Sequence, residues 1–333
     1  MNKTKCTAQD YINFIVATPV SYSCLEAGRV QPQGEQGPAH DAFSRLLQRL
    51  EPDAEALWQE SEAQVVKDKG ILVLDDTTLD KPYAKQMALV TRHWSGKHHA
   101  VVAGINLLTL LWTDGDRYLP CDYRLYEKTS DGLSKNDHFR TLVQTAQQRG
   151  FAPECVVFDS WYSGLDNLKC MRKLGWRWLS QLKHNRLVNP TGTGHCPLAD
   201  VPIAATGTQI HLKGYGLILV FKLVATNGDI EYWATNDLTM TELMRLRLAA
   251  NAWQIETYHR GIKQFCGVEK SQARLSQTQR NHIGLALRAF LRLETFCFYH
   301  GRSWFEAKLA IVRQAVRTYL AHPIYTLHPV PSA

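Results

Sequence analysis

The stretch ILVLDDT at residues 71–77 constrains the fold more than any other part of the sequence. Its four large aliphatic residues, Ile71 to Leu74, predict a buried strand. They are followed directly by two carboxylates, Asp75 and Asp76. A carboxylate is buried in apolar surroundings only when another group compensates its charge. The sequence therefore predicts a strand from the interior of a sheet that ends at a charged site.

A second strand with the same design follows at CVVFDSWYSG, where Val156 to Phe158 lead into Asp159. Between the two lie three further strand-like stretches, MALVTRHW, HHAVVAGINLLTLLW and YLPCDYRLYE, which are rich in β-branched and aromatic residues. The stretch SKNDHFRTLVQTAQQRG then reads as a capped helix. This order predicts an α/β fold with a sheet of mixed strand direction, flanked by helices.

The rest of the chain divides around this core. Gly-, Thr- and Pro-rich sequence that then alternates like strands predicts a β-rich insertion, and helical patterns stand before the core and after the insertion. The predicted parts are a helical N-terminal domain (1–67), the first part of the core (68–182), the insertion (183–235), the second part of the core (236–300) and a C-terminal helix and tail (301–333).

The positive charge is concentrated at one end of the chain. Residues 241–333 carry 13 Lys and Arg against 5 Asp and Glu, whereas residues 1–240 are close to neutral, within a total net charge of +7. Such a segment is either a set of solvated helix faces or a surface for a polyanion such as nucleic acid. The N-terminal helices offer Arg45 and Arg49 as further DNA contacts if they act as a helix-turn-helix; a bundle that only packs on the rest remains equally open.

Composition excludes several classes of protein. The longest mainly apolar stretch, VVAGINLLTLLW, is too short and too interrupted to span a bilayer, so no membrane partner is expected. The N-terminus lacks the apolar segment of a signal peptide. Eight cysteines without a Cys-x-x-Cys pair suggest neither a zinc site nor a disulfide framework, which fits a cytoplasmic protein.

Three carboxylates from separate elements point to metal chemistry. Asp75 and Asp159 each end a strand, and Glu256 lies in the later helical stretch WQIETYHRGIKQ. Acidic groups that converge repel one another, and a bound divalent cation is the usual resolution. Carboxylate oxygens select Mg²⁺, with Mn²⁺ as a substitute, and two such ions can drive phosphoryl transfer.

Three motifs then carry a resemblance to a known family. LVLDDTTLDK, VVFDSWYSG and IETYHRGIK, in this order, resemble the signatures of DDE transposases of bacterial insertion sequences. The resemblance implies a ribonuclease-H-like core with a β-strand insertion before the catalytic glutamate. It implies Asp75, Asp159 and Glu256 as catalytic metal ligands, and it places Lys263 at the family's E-x₆-K spacing, on the same helix face as the glutamate.

The same resemblance implies the reaction and the partners. A metal-dependent cut at the terminal inverted repeats of the element would be followed by strand transfer into target DNA, by cut-and-paste transposition. A homodimer would pair the two ends in a synaptic complex, and the bacterial protein would associate with the nucleoid.

The chain departs from the family pattern before the glutamate. Alanines stand where the family has a Tyr and an Arg, seven and four residues earlier. His259 and Arg260 are the candidates for the missing phosphate contacts, with Arg245 or Arg247 reaching in from one side.

Several alternatives remain open at this stage. Asp76 could be the metal ligand in place of Asp75, although alternation lets only one of them face the site. Asp159 could be a helix cap, Glu256 an exposed helix residue, and three tryptophans near the insertion either core residues or platforms for a flipped base. These are Trp176, Trp178 and Trp233. An aspartyl-phosphate phosphohydrolase and a catalytically inactive, transposase-derived DNA-binding protein are the other functional classes.

Overall fold

The fold is taken from a computed structural model of the chain, which describes residues 5–95, 99–127, 132–225 and 227–325. The first four residues of the predicted N-terminal domain and the last eight of the predicted C-terminal tail therefore lie outside the described residues. Among the described helices, none is both long and apolar enough to cross a membrane.

The core is a mixed sheet built around one central strand. Its strands are β1 (Ile71–Asp80), β2 (Thr91–Ser95), β3 (Ala100–Thr113), β4 (Leu119–Tyr126), β5 (Cys155–Phe158) and β6 (Trp178–Leu182). β1 pairs antiparallel with β3, which pairs antiparallel with β4, and short β2 also pairs with β3. On the other side β1 pairs parallel with β5, and β5 pairs parallel with β6. Three antiparallel strands followed by two parallel ones make this a ribonuclease-H-like fold, as the family resemblance implied.

The position of β1 explains its composition. Ile71 to Leu74 are buried, since β1 has a neighbour on each side and helices over the sheet. A strand covered on both faces needs a continuous apolar run rather than an alternating one. In its parallel pairing with β5, Leu74 lies opposite Phe158, so that Asp75 and Asp159 follow at the same level. The two aspartates therefore lie next to each other, but the prediction that the first strand ends there is wrong, because β1 continues to Asp80 through its pairing with β3.

The predicted insertion extends this same sheet. Its strands are β7 (Leu187–Asn189), β8 (Cys196–Pro197), β9 (Thr208–Leu212), β10 (Gly216–Val224) and β11 (Ile230–Thr235). β11 pairs antiparallel with β6, and β10, β9, β7 and β8 continue outward in that order. In the described residues the sheet has eleven strands, and the insertion is continuous with the core through backbone hydrogen bonds.

Helices cover the sheet and connect its parts. Those of the core and the C-terminal region are α5 (Lys135–Gln148), α6 (Leu165–Lys173), α7 (Glu242–Ala252), α8 (Gln254–Cys266), α9 (Ser276–His300) and α10 (Trp304–Ala321). α5 packs against β3 and β4, whereas α7 and α8 pack against β1. α8 ends at Cys266 and is capped by Gly267, whose positive φ of 55° suits a glycine at a helix C-terminus.

The N-terminal helices pack onto the C-terminal part of the chain. They are α1 (Ala8–Ala17), α2 (Cys24–Arg29), α3 (His40–Arg49) and α4 (Glu55–Ser61). The hydroxyl of Tyr11 in α1 lies 2.9 Å from Nδ1 of His282 in α9, and Glu60 in α4 forms ion pairs with Arg288 and Arg292. From α10, the ammonium of Lys308 donates to three carbonyls at the end of α1. These helices share one hydrophobic core with the sheet.

Candidate active site

The site lies where the parallel pairing of β1 and β5 ends, at Leu74 opposite Phe158. β5 ends there and Asp159 follows it, whereas β1 continues to Asp80 paired with β3, so Asp75 lies within the strand. Residues at the same level of parallel neighbours point to the same face. Both carboxylates line one cavity of about 980 Å³ at this edge.

Helix α8 brings the third carboxylate to the same cavity. α7 ends at Ala252, Trp253 joins the two helices, and α8 presents Glu256 in its first turn. Ligand atoms of Asp75, Glu256 and His259 all lie within 4.8 Å of one another. Two carboxylates and an imidazole at this separation are a donor set that fits a divalent cation.

The electrostatics of Asp75 support the same interpretation. Its burial, together with the charges of Asp76, Asp159 and Glu256, raises the pKa of Asp75 well above its ordinary value. Burial and the charge of Asp76 likewise raise the pKa of Asp159. Converging carboxylates whose negative charge is not compensated within the protein are stabilised by a cation.

Asp76 has a different environment from its neighbour. It pairs with Lys135 at 2.7 Å and accepts hydrogen bonds from the hydroxyl of Tyr162 and the side-chain amide of Asn106. Burial alone would raise the pKa of Asp76, but Lys135, Tyr162 and Asn106 together lower it below its ordinary value. The protein itself supplies the counter-charge and the hydrogen bonds of the Asp76 carboxylate. Asp76 therefore needs no cation, which favours Asp75 as the metal ligand. That assignment stays a prediction.

Asp159 serves as a cap as well as lining the cavity. Its Oδ1 accepts a hydrogen bond of 2.9 Å from the backbone N–H of Trp161, at the start of the 3₁₀ turn Ser160–Tyr162. The capping alternative and the cavity position are therefore both present, and one does not exclude the other. The bond also fixes the direction of the carboxylate at the edge of the sheet.

His259 lies deeper than the sequence suggested. Its side chain is 4% exposed, and among the described residues Nε2 has no hydrogen-bond partner. Burial and the charge of Lys263 lower the pKa of His259 to about 3, so the ring is neutral at physiological pH. A buried, neutral imidazole is poorly suited to the phosphate contact that the sequence predicted, because it brings no positive charge.

The other predicted contacts of α8 lie on the cavity wall. Lys263 donates a hydrogen bond of 2.9 Å to the carbonyl of Thr78 in β1 and lines the cavity beside Glu256. Arg260 is exposed and lines the same cavity. Both remain predicted DNA contacts, and their positions are compatible with that role.

The remaining predicted arginines lie elsewhere. Arg245 is buried and pairs with Glu242 at 2.7 Å, and Arg247 pairs with Glu154; neither lines the cavity. The suggestion that one of them reaches into the site is therefore wrong for this conformation, because each is already paired outside the cavity.

The two arginines of α3 are also outside the cavity. Arg45 is exposed and pairs with Asp41 at 2.7 Å, and Arg49 donates to the carbonyl of Cys6. Their predicted role in DNA binding stays a prediction.

The aromatic residues at the cavity differ from those that sequence reasoning selected. Trp176 and Trp178 are buried, so they are core residues, and Trp233 is partly buried. By contrast, Trp253 is 72% exposed and Trp94 is 66% exposed, and both line the cavity. Trp253 follows Ala252 directly and stands one helical turn before Glu256, which is a signal that the sequence contained.

Comparison with known families shows which family the chain belongs to. The sequence model of the family described as "DDE superfamily endonuclease" matches residues 27–202, which is more than half of the chain and includes Asp75 and Asp159. The chain belongs to the DDE superfamily endonucleases. A second family model, described as "Archaeal putative transposase ISC1217", matches residues 129–299, which include Asp159 and Glu256.

This DDE endonuclease has no match among curated proteins. Among solved structures it is similar to the piggyBac transposase in its synaptic complex with hairpin DNA. That similarity has a TM-score of 0.47 and 11% identity over 100% of this chain and 74% of the other. A strand transfer complex of the Drosophila P element transposase gives a TM-score of 0.28 and 9% identity over 99% and 90%. The family places the chain among DNA-cleaving, metal-using transposases, and nothing in these matches supports an aspartyl-phosphate phosphohydrolase.

Proposed function

We propose that this transposase cuts the ends of its element and joins them to target DNA with Asp75, Asp159 and Glu256 as the ligands of two Mg²⁺ ions. The observation that carries this proposal is the convergence of the three carboxylates on one cavity at the β1–β5 edge of the sheet. Mn²⁺ would substitute for Mg²⁺, since both accept carboxylate oxygens.

The three carboxylates would hold the cations, and the elements that carry them keep them in position. Divalent cations bound there would help to deprotonate the attacking water or 3′-hydroxyl and would stabilise the charge of the leaving oxygen. Asp75 and Asp159 stand on the rigid sheet, whereas Glu256 stands on α8, which packs against β1. Ligands supported by packed elements hold their geometry while the DNA is exchanged.

Cationic side chains and an exposed aromatic ring surround the carboxylates. Lys263, Arg260 and Lys270 line the cavity, and they would contact the phosphates that flank the scissile bond. Trp253, exposed on the same wall, offers a π face on which an unstacked base could lie. These groups would position the DNA so that the scissile phosphate reaches the carboxylates.

The partner is double-stranded DNA, namely the terminal inverted repeats of the element and the target. Because both ends must be joined to one target site, we propose that two copies of the chain act together in a synaptic homodimer.

The direct test uses the element's own ends as labelled duplexes. Purified protein with Mg²⁺ should nick at the repeat boundary and, with target DNA added, yield a strand-transfer product. Asp159→Asn should abolish both products while the metal-free variant melts at the wild-type temperature or slightly above it, because one repelling charge is removed. Wild-type protein that binds the ends but does not cleave them with Mg²⁺ or Mn²⁺ would contradict the proposal.

Lys263 tests the DNA-contacting wall of the cavity. Lys263→Ala should reduce the rate of cleavage at saturating DNA far more than it reduces affinity, because the other cationic contacts remain. The slope of log affinity against log salt should become shallower by about one unit. Lys222→Ala, exposed on β10 outside the cavity, is the matched control and should leave both the affinity and the cleavage rate at saturating DNA unchanged.

A further inference from the structure

The further inference concerns His259, which the chemistry above does not use. Glu256 and His259 are three residues apart on α8, so both side chains leave the same face of the helix. That face is turned toward β1, since atoms of both residues come within 4.8 Å of each other and of the Asp75 carboxylate. The imidazole is therefore part of the carboxylate cluster and not of the outer wall.

One ring nitrogen of His259, Nε2, also lacks a hydrogen-bond partner among the described residues. Among the described residues, Nε2 makes no hydrogen bond, although the side chain is 4% exposed. Buried polar atoms are nearly always hydrogen-bonded, and one left without a partner destabilises the fold. An imidazole nitrogen of His259 lies within 4.8 Å of carboxylate oxygens of Asp75 and Glu256, and a cation there would give the ring a partner.

We propose that His259 is a protein ligand of the cation held by Asp75 and Glu256, through an imidazole nitrogen. The inference rests on the metal site of the proposed function and adds a nitrogen donor to a site otherwise made of oxygens. It replaces the phosphate contact that the sequence predicted for this histidine. It also gives a reason why a glutamate and a histidine one turn apart share a helix face, as paired ligands do in helical metal sites.

A nitrogen ligand changes which cations the site prefers. Carboxylate and water suit Mg²⁺ and Mn²⁺, whereas imidazole also suits later metals such as Ni²⁺. Removal of the imidazole should therefore weaken Ni²⁺ binding more than Mg²⁺ binding. Even the loss of a group that only supports a ligand weakens metal binding by about 10–100-fold, so His259→Asn should raise the Mn²⁺ dissociation constant by about tenfold or more.

The decisive measurement is pulsed electron paramagnetic resonance on the full chain with less than one equivalent of Mn²⁺ and no DNA. Wild-type protein should show electron-spin-echo modulation from a directly coordinated ¹⁴N, and protein labelled with ¹⁵N-histidine should show ¹⁵N coupling in its place. The isotope comparison needs no substitution, so it holds even if a variant fails to fold. His259→Asn should lose the coupling, and His211→Asn, exposed on β9 outside the cavity, should retain it.

The outcomes separate this inference from the proposed function. Mn²⁺ that binds wild-type protein without nitrogen coupling, and that binds His259→Asn equally well, overturns the histidine ligand and leaves the carboxylate site standing. If Mn²⁺ binds the Asp75→Asn variant as tightly as it binds the wild type, the proposed metal site itself is overturned. Nitrogen coupling in wild type that persists in His259→Asn would assign the signal to another histidine and would also overturn the inference.

Discussion

Asp75 and Asp76 are neighbours in one strand and both line the cavity, yet the protein compensates the charge of only one of them. On one side Asp75 joins Glu256 and His259 in what we call the open cluster, where negative charge converges and a ring nitrogen has no partner among the described residues. On the other side Asp76 joins Lys135, Tyr162 and Asn106 in the closed cluster, where the protein supplies the cation and the donors.

The comparison shows what separates a functional carboxylate from a structural one. Both residues are acidic, both end the same apolar run, and both are removed from bulk water. They differ in whether the fold compensates their charge. Groups that a fold leaves uncompensated are candidates for ligand binding, whereas compensated ones stabilise the architecture around them.

The largest expected effect is on catalysis. Asp75→Asn should reduce the rate of end cleavage by about 10³-fold, because loss of a metal ligand removes several kcal/mol of transition-state stabilisation. Asp76→Asn, the matched change in the closed cluster, should retain measurable cleavage with Mg²⁺ when it is assayed well below its melting temperature. Equal losses in the two variants would remove the distinction between the clusters.

The next effect is on stabilisation by metal. At a Mg²⁺ concentration about one hundredfold above its dissociation constant, the wild-type free energy of unfolding should rise by about 2.7 kcal/mol. Asp76→Asn should show a similar rise, and Asp75→Asn should show almost none. Thermal melting with increasing Mg²⁺ measures this, and a full rise in Asp75→Asn would place the cation elsewhere.

A smaller effect should appear in the metal-free proteins. Asp76→Asn should lower the free energy of unfolding by about 1–3 kcal/mol, because Lys135 loses its counter-charge while remaining mostly buried. Asp75→Asn should be neutral or stabilising. Urea denaturation in EDTA compares them, and a double-mutant cycle with Lys135→Met isolates the ion pair; a coupling energy near zero would contradict the closed cluster.

The smallest effect is a difference in pH dependence without metal. The folded pKa of Asp75 is raised, so its native state binds more protons than the unfolded chain, and its contribution to stability should fall as pH rises from about 3.9 through the raised pKa. The folded pKa of Asp76 is lowered, so its contribution is present above about pH 3.9 and is lost as pH falls through the lowered pKa.

Subtraction of each Asn variant from wild type isolates the two contributions. The wild-type minus Asp75→Asn curve should slope downward with pH, and the wild-type minus Asp76→Asn curve should slope upward. Melting curves in EDTA across the acidic range provide the data. Two slopes of the same sign would show that the clusters do not differ in the way described.

The sequence predicted the parts of the site that depend on local pattern. An apolar run that ends in Asp indicated both β1 and β5, and the spacing in α8 placed Lys263 near Glu256. It could not predict Lys135 as the partner of Asp76, because that contact joins residues 59 apart in the chain. It also missed the burial of His259, since helical spacing gives the face of a side chain but not its depth.

The same limit applies to the larger architecture. The sequence predicted the alternating strands of the insertion. It could not predict that they continue the core sheet, because that depends on the pairing of β11 with β6, which no local pattern encodes. The sequence also predicted the helical character of the first 67 residues. Their packing against α9 depends on contacts such as Tyr11 with His282, far apart in the sequence.

The packing of α1 against α9 and α10 has a consequence for biosynthesis. Tyr11, Ile12 and Ile15 of α1 are buried in the finished fold, but α9 begins only at Ser276 and Lys308 comes later still. At ~5–20 residues per second, a ribosome exposes α1 on the order of tens of seconds before its partners emerge. A truncated translation product would leave α1 without its packing surface. Helix α1 is therefore buried only after α9 and α10 have been translated, so this packing forms late in synthesis.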